Sequence, residues 1–191
     1  MKIGLFFGSF NPVHNGHMVI AQFMAEFSVL DQVWMVVSPQ NPLKPSASLL
    51  QDYQRLQLVE LAIGDYRKLK VSKIEFELQR PSYTIHTLAY LREKYPQNDF
   101  ALIMGADNLS SFSKWKNYDL ILEDHDIFVY PRPGADGGEF RDHPRVHWTD
   151  APLMEISSTF IRNAIKNKKD VRFMLPEKVW SYIEEMNFYR K

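Results

Sequence analysis

The sequence predicts an α/β fold, a mostly parallel sheet with helices on both faces. Short apolar runs alternate with longer amphipathic segments along the whole chain. Two of the runs, 3–7 and 100–104, end on glycine, at Gly8 and Gly105. Near-continuous apolar runs of this length suit strands buried on both faces, the signature of a parallel sheet.

The elements follow in order. Residues 3–7 make the first strand, and residues 15–28 a helix with Met18, Val19, Ala21, Phe23, Met24 and Phe27 at helical spacing. Residues 33–37 are a second buried strand, and Pro39, Pro42 and Pro45 make the next stretch a loop. Asp52 is expected to cap a helix carrying Leu56, Val59, Leu61, Ala62 and Ile63 and stopping at Gly64. Residues 69–78 read as a strand. Thr84 is the expected cap of a helix with Ile85, Leu88 and Leu91 that ends at Pro96. Residues 100–104 and 127–130 are further strands. Residues 132–144 hold three glycines and two prolines and are expected to be a mobile loop. Residues 146–148 form a short strand. A helix begins at Ser157 or Ser158 and runs to Ile165, and a last amphipathic helix starts at Pro176 with Val179, Trp180, Ile183 and Met186. The whole, residues 1–191, is read as one domain, with a C-terminal helical part from about 157.

Composition narrows the function. The 191 residues carry 23 Lys+Arg against 23 Asp+Glu, a formal charge of zero, with 45% hydrophobic residues. A neutral chain of this kind argues against a nucleic-acid-coating protein, and no apolar run reaches the ~20 residues of a membrane span. With no cysteine, thiolate zinc sites, iron–sulfur clusters and cysteine nucleophiles are excluded. A cytoplasmic location is the expectation.

Chemistry concentrates where strands end. In parallel sheets ligands lie beyond the carboxyl ends of the strands, where strand order reverses. Gly8-Ser9-Phe10-Asn11-Pro12-Val13-His14-Asn15-Gly16-His17 follows the first strand and opens a helix. Two histidines three apart share one face at a helix start, where free N–H groups favour an anion. One histidine there reads as a cap; two flanking Gly16 favour phosphate contact. A metal held by the pair is the weaker reading, since no third ligand is near in sequence. Ile156-Ser157-Ser158-Thr159-Phe160-Ile161-Arg162 repeats the theme: one hydroxyl is explained by capping, but three with an arginine one turn on suggest a second anion cradle. Pro81-Ser82-Tyr83-Thr84 alone is a turn and cap. Asp107 after Gly105 suits a sugar hydroxyl or a helix cap equally. Trp115 between Lys114 and Lys116 can stack on a flat ring or pack on the domain edge. Arg132 follows a strand end within reach of phosphate. His125, His143 and His147 read as surface residues. The glycine-rich dinucleotide fingerprint, the P-loop and the G-x-S-x-G elbow are all absent from the sequence.

The H-x-G-H at residues 14–17 with the late I-S-S-T-x-x-R resembles the nucleotidyltransferases of the H-x-G-H superfamily. Within them the chain is similar to the nicotinate-nucleotide adenylyltransferase family, through 81–84, 103–107, Trp115, 131–134 and the closing 187–189. The resemblance runs from residue 3 to 189. It implies a Rossmann-like sheet of five or six parallel strands. It implies transfer of the adenylyl group of ATP to nicotinate mononucleotide, with release of pyrophosphate and Mg²⁺ arriving with ATP. His14, His17 and Arg162 take the catalytic places, with Gly8, Ser9, Phe10, Gly16, Gly105, Asp107, Ile156, Ser157 and Ser158 around ATP. Lys44, Tyr83, Thr84, Asp107, Trp115, Lys116 and Arg132 fall to the mononucleotide, and Lys44 and Arg132 are also candidates for the triphosphate. Partners are small molecules, with no nucleic acid or membrane; a homo-oligomer stays open. Two departures stand out: Asn11 and Leu43 replace an aspartate and a histidine usual in the family. Rival readings are adenylyltransferases for phosphopantetheine or flavin mononucleotide and a non-catalytic nucleotide sensor. A class I aminoacyl-tRNA synthetase is rejected, because its lysine loop would fall inside the third strand.

Overall fold

The structure is a computed structural model that describes residues 1–39 and 49–190. Six strands form one parallel sheet: β1 (Lys2–Gly8), β2 (Gln32–Val37), β3 (Leu69–Ser72), β4 (Asp99–Gly105), β5 (Ile127–Tyr130) and β6 (Val146–Trp148). Their order is β3-β2-β1-β4-β5-β6, and every neighbouring pair is parallel. The order reverses between β1 and β4, so Gly8 and Gly105 end adjacent strands at the switch point, where a parallel α/β sheet opens a crevice.

Among the described residues seven helices cover the sheet: α1 (Asn15–Phe27), α2 (Asp52–Ile63), α3 (Thr84–Lys94), α4 (Ala106–Leu109), α5 (Tyr118–Asp124), α6 (Ser158–Lys166) and α7 (Glu177–Glu185). Side chains on a strand alternate faces, and the two cores divide accordingly. Phe6, Met35, Ile103 and Phe128 point to one face, where Ile20 and Met24 of α1, Leu58 and Val59 of α2, Ile161 of α6 and Ile183 of α7 bury them. Leu5, Val36, Leu102 and Ile127 point to the other, under Leu88 and Leu91 of α3, Leu109 of α4 and Ile121 of α5. The apolar runs are continuous because both faces of each central strand are dry.

Several local expectations are corrected. Gln51 rather than Asp52 occupies the cap position of α2, in a reciprocal pair with Gln54. Tyr83 rather than Thr84 is the cap residue of α3. The expected strand over 69–78 is strand only at Leu69–Ser72, then tightens into a 3₁₀ turn at Ile74–Phe76 that buries Ile74 and Glu75. Helices α4 and α5 are not evident from periodicity; α5 starts from Asn117 in a left-handed conformation, φ 51°. His125 is buried rather than surface, with Nδ1 2.8 Å from the Phe100 carbonyl oxygen. Within 132–144 lie an Arg132–Ala135 bridge and a 3₁₀ turn at Gly138–Phe140, and Phe140 packs on the core. No described helix is long and apolar enough to cross a membrane.

Candidate active site

His14 ends the loop after β1 as the cap residue of α1, and His17 is the third residue of the helix. The two cap each other: the His17 N–H donates to His14 Nδ1 at 3.4 Å, and the His14 N–H donates to His17 Nδ1 at 3.3 Å. Their rings stack with centroids 3.7 Å apart. The reason for Gly16 is visible in this arrangement, since a Cβ there would come within 3.0 Å of the His14 ring. Burial, with Arg132 nearby, lowers the His14 pKa to about 4 and holds that of His17 well below the usual histidine value. Both imidazoles are therefore neutral near pH 7. With each Nδ1 accepting a backbone proton, each Nε2 must carry the ring proton. The pair presents two neutral donors of defined tautomer.

Those donors line a cavity of about 160 Å³ shared with Phe6, Tyr130, Arg132, Met154, Ile156, Ser157 and Ser158. It joins the ends of β1 and β5 to the starts of α1 and α6. The Ser157 hydroxyl caps α6 by accepting from the Phe160 N–H at 3.2 Å. Ser158 Oγ donates to the Pro12 carbonyl at 2.9 Å. Both hydroxyls thus have structural partners, while the orphan N–H groups of the first turn of α6 are available to an anion.

Arg162 does not line this cavity. Its Nη1 donates to the Asn11 carbonyl at 2.8 Å and its Nη2 to Thr159 Oγ1 at 3.3 Å, so the second motif braces the first. Asn11, 3% exposed, accepts at Oδ1 from the Leu50 N–H and from Tyr189 Oη, the latter at 2.8 Å. The two nearby donors suit a neutral buried amide as well as they would a carboxylate.

Phe10 is 1% exposed, and its ring packs edge-on against Phe6 and His17. Its side chain supports His17 from beneath, with its backbone at φ 45°. A Cβ on Gly8 would meet this ring at 2.8 Å, so Gly8 is required by Phe10. Ser9 is exposed at the loop. Gly105 has a similar origin: a Cβ there would lie 2.4 Å from Asp107 Oδ1 and 2.9 Å from Arg132 Cγ. Asp107 Oδ1 and Arg132 Nε pair at 3.6 Å across this gap, and Arg132 Nη1 donates to the Met154 carbonyl at 3.3 Å.

A second group gathers at the start of α3. Tyr83 is 41% exposed beside Thr84. Lys116 Nζ lies 4.5 Å from the Tyr83 ring centroid and 3.5 Å from His86 Nε2. Trp115 is half-buried against Phe112, at 5.3 Å between rings, so part of its surface is open to a ligand. Lys44 and Leu43 lie outside the described residues.

Sequence reasoning missed Tyr130, Met154, His86, Arg55 and Glu75. Arg55 is fully buried: Nη1 donates to the Ser9 carbonyl at 2.6 Å and to the Ser38 carbonyl at 2.7 Å, Nε donates to Leu50 O, and Nη2 pairs with Asp52 at 2.6 Å. It ties together the loops leaving β1 and β2. Its spacing from Leu58 and Val59 places it on the buried face of α2, a signal that the sequence did contain.

A doubly covered parallel sheet whose crevice is walled by two helix starts and an arginine is an architecture for anionic nucleotide ligands. The chain belongs to the cytidylyltransferase-like family, whose model matches residues 5–164. A relative from Flavobacterium johnsoniae named "Probable nicotinate-nucleotide adenylyltransferase" is 58% identical, with all of both chains covered. One of the same name from Flavobacterium psychrophilum is 59% identical, again over all of both chains. Among solved structures, Plasmodium falciparum nicotinic acid mononucleotide adenylyltransferase complexed with NaAD superposes with a TM-score of 0.82 at 17% identity, over 98% of this chain and 97% of that one. At that identity the likeness concerns the fold.

Proposed function

We propose that this chain transfers the adenylyl group of ATP to nicotinate mononucleotide, forming nicotinate adenine dinucleotide and pyrophosphate in NAD biosynthesis. The observation that carries it is the reciprocally capped His14–His17 pair, set in a cavity with Arg132 and the start of α6. The names of the full-length relatives supply the acceptor.

The reaction needs little acid–base chemistry. An oxygen of the acceptor's 5′-phosphate attacks the α-phosphorus of ATP; a new P–O bond forms as the bond to the bridging oxygen breaks, and pyrophosphate leaves with that electron pair. The attacking oxygen is already ionised, so no base is required. Catalysis then rests on alignment and on donors aimed at the charged oxygens. Neutral imidazoles fit that task, because each offers its Nε2 proton as a hydrogen bond without surrendering it. The N–H groups at the starts of α1 and α6 take further phosphate oxygens. Arg132 adds charge on the cavity side, and Arg162 acts in part by holding the Asn11 carbonyl and hence the His14 loop. Mg²⁺ would arrive with ATP, held mainly by phosphate oxygens, and would supply charge neutralisation there. Tyr83, Thr84, Trp115 and Lys116 receive the pyridine ring and its carboxylate, Trp115 by stacking and the first turn of α3 by its free N–H groups. Asp107 reaches a ribose hydroxyl once it leaves Arg132. Lys44 stays in the proposal on the strength of the sequence.

The test is pyrophosphate release from Mg–ATP with nicotinate mononucleotide, nicotinamide mononucleotide, phosphopantetheine and flavin mononucleotide in separate reactions. Release with the first, and little with the others, is the expected result. Release with none would overturn the acceptor assignment and favour a nucleotide sensor.

A further inference from the structure

The most unusual group outside the cavity is Glu75. It sits in the 3₁₀ turn after β3 with 4% of its surface exposed, and among the described residues no lysine, arginine or histidine pairs with it. A buried carboxylate without a cation is costly, and an apolar side chain would be cheaper for stability. What satisfies it is a set of hydroxyls. Thr87 Oγ1, itself fully buried on α3, donates to Glu75 Oε1 at 3.1 Å. Burial raises the Glu75 pKa, and the Ser38 and Ser82 side chains beside the same carboxyl act the other way, favouring its charged form.

Those three partners come from three segments. Ser38 follows β2; its N–H donates to the Gly8 carbonyl at 2.9 Å and its carbonyl accepts from Arg55 at 2.7 Å. Ser82 directly precedes Tyr83, the cap residue of α3. Thr87 lies one turn into α3, and its hydroxyl is also 3.5 Å from the Tyr83 carbonyl. One carboxylate therefore joins the switch-point end of β1 and β2 to the first turn of α3. None of its partners lines the cavity that holds the histidine pair.

We propose that Glu75 is a positioning residue for the acceptor: its hydroxyl network sets the height and tilt of 82–84 and the first turn of α3, and so the fit of the pyridine mononucleotide, while leaving the ATP cavity untouched. This rests on the functional reading above. The network can be altered without emptying the space. Glu75→Gln keeps the volume but exchanges one acceptor oxygen for an NH₂ donor, which turns away a hydroxyl donor on that side. Thr87→Val removes one donor at equal size.

The experiment is steady-state kinetics of wild type, E75Q, E75A and T87V, varying each substrate in turn, with thermal melts alongside. The expected result is a KM for nicotinate mononucleotide raised at least fivefold in E75Q and more in E75A, with the KM for ATP within twofold of wild type. Should E75A fail to fold, E75Q and T87V carry the comparison. A lowered melting temperature with both KM values unchanged, or both KM values rising together, would overturn the proposal and leave Glu75 a purely structural group. A wild type with no activity on nicotinate mononucleotide would instead overturn the functional reading, and the role of Glu75 with it; the wild-type control separates the two failures.

Discussion

Replacing Arg55 with methionine tests how the site is held in place. Methionine keeps most of the length and favours a helix, so α2 itself should persist. The loss falls on three carbonyls, of Ser9, Ser38 and Leu50, which accept from Arg55 at 2.6, 2.7 and 3.1 Å. A buried group left without its partner costs about 1–3 kcal/mol. Ser9 is exposed and regains a water, and Asp52 keeps its pair with Arg80 at 2.7 Å, so neither contributes the full penalty. The remaining two carbonyls and the lost packing come to about 3–4 kcal/mol. For a chain of this size each kcal/mol moves the melting temperature by about 2–4 °C, so R55M should melt roughly 6–16 °C lower. Because Arg55 also fixes the loops leaving β1 and β2, kcat/KM should fall about 10- to 100-fold even well below the melting temperature. Differential scanning calorimetry and pyrophosphate release measure the two effects. A melting shift under about 2 °C with unchanged kcat/KM would refute the argument that this guanidinium holds the crevice together.

Other perturbations follow from the same geometry. His17→Ala removes a preorganised donor and should lower kcat by about 10²–10³-fold, with circular dichroism showing the fold retained. His14 is depressed to about 4 in the fold against 6.5 when unfolded, so the unfolded chain binds the extra proton between those values. Stability from this residue is therefore complete above pH 6.5 and lost as pH falls to 4, by about 3 kcal/mol in all. Denaturant melts from pH 4.5 to 7.5 should show this slope, and H14N should flatten it. Gly105→Ala pushes against Asp107 and Arg132 and should raise substrate KM values several-fold; unaltered kinetics would mean that the pair moves aside freely. Nicotinate should be preferred over nicotinamide mononucleotide, because the amide turns its own NH₂ toward the N–H groups at Thr84; equal kcat/KM for both would contradict that placement.

What could be read in the sequence was whatever periodicity and local chemistry control. The apolar runs at β1, β2, β4 and β5 need only two dry faces, and those runs named a parallel sheet without any knowledge of strand order. The histidines at 14 and 17, the serines at 157 and 158 and Gly16 announce themselves because a helix start asks for caps and free space within a few residues. The third strand failed where its pattern was weakest: Ile74 and Phe76 flank a carboxylate, and alternation alone did not show that the chain would tighten there and bury Glu75. Likewise α5 was invisible because its start depends on a left-handed Asn117, and His125 was misplaced because only the Phe100 carbonyl makes its burial tolerable.

The sequence by itself determined the fold class, the strand ends at Gly8 and Gly105, and the two helix starts that carry His14–His17 and Ser157–Ser158, since all of these follow from spacing along the chain. The tertiary structure alone decided the rest. It set Arg162 to bracing Asn11, placed Phe10 beneath His17, and closed Arg55 and Glu75 over loops far from them in sequence. The physical reason is that a buried polar group must find its partners wherever folding brings them, here 151 residues away for Arg162 and Asn11 and 178 for Tyr189 and Asn11.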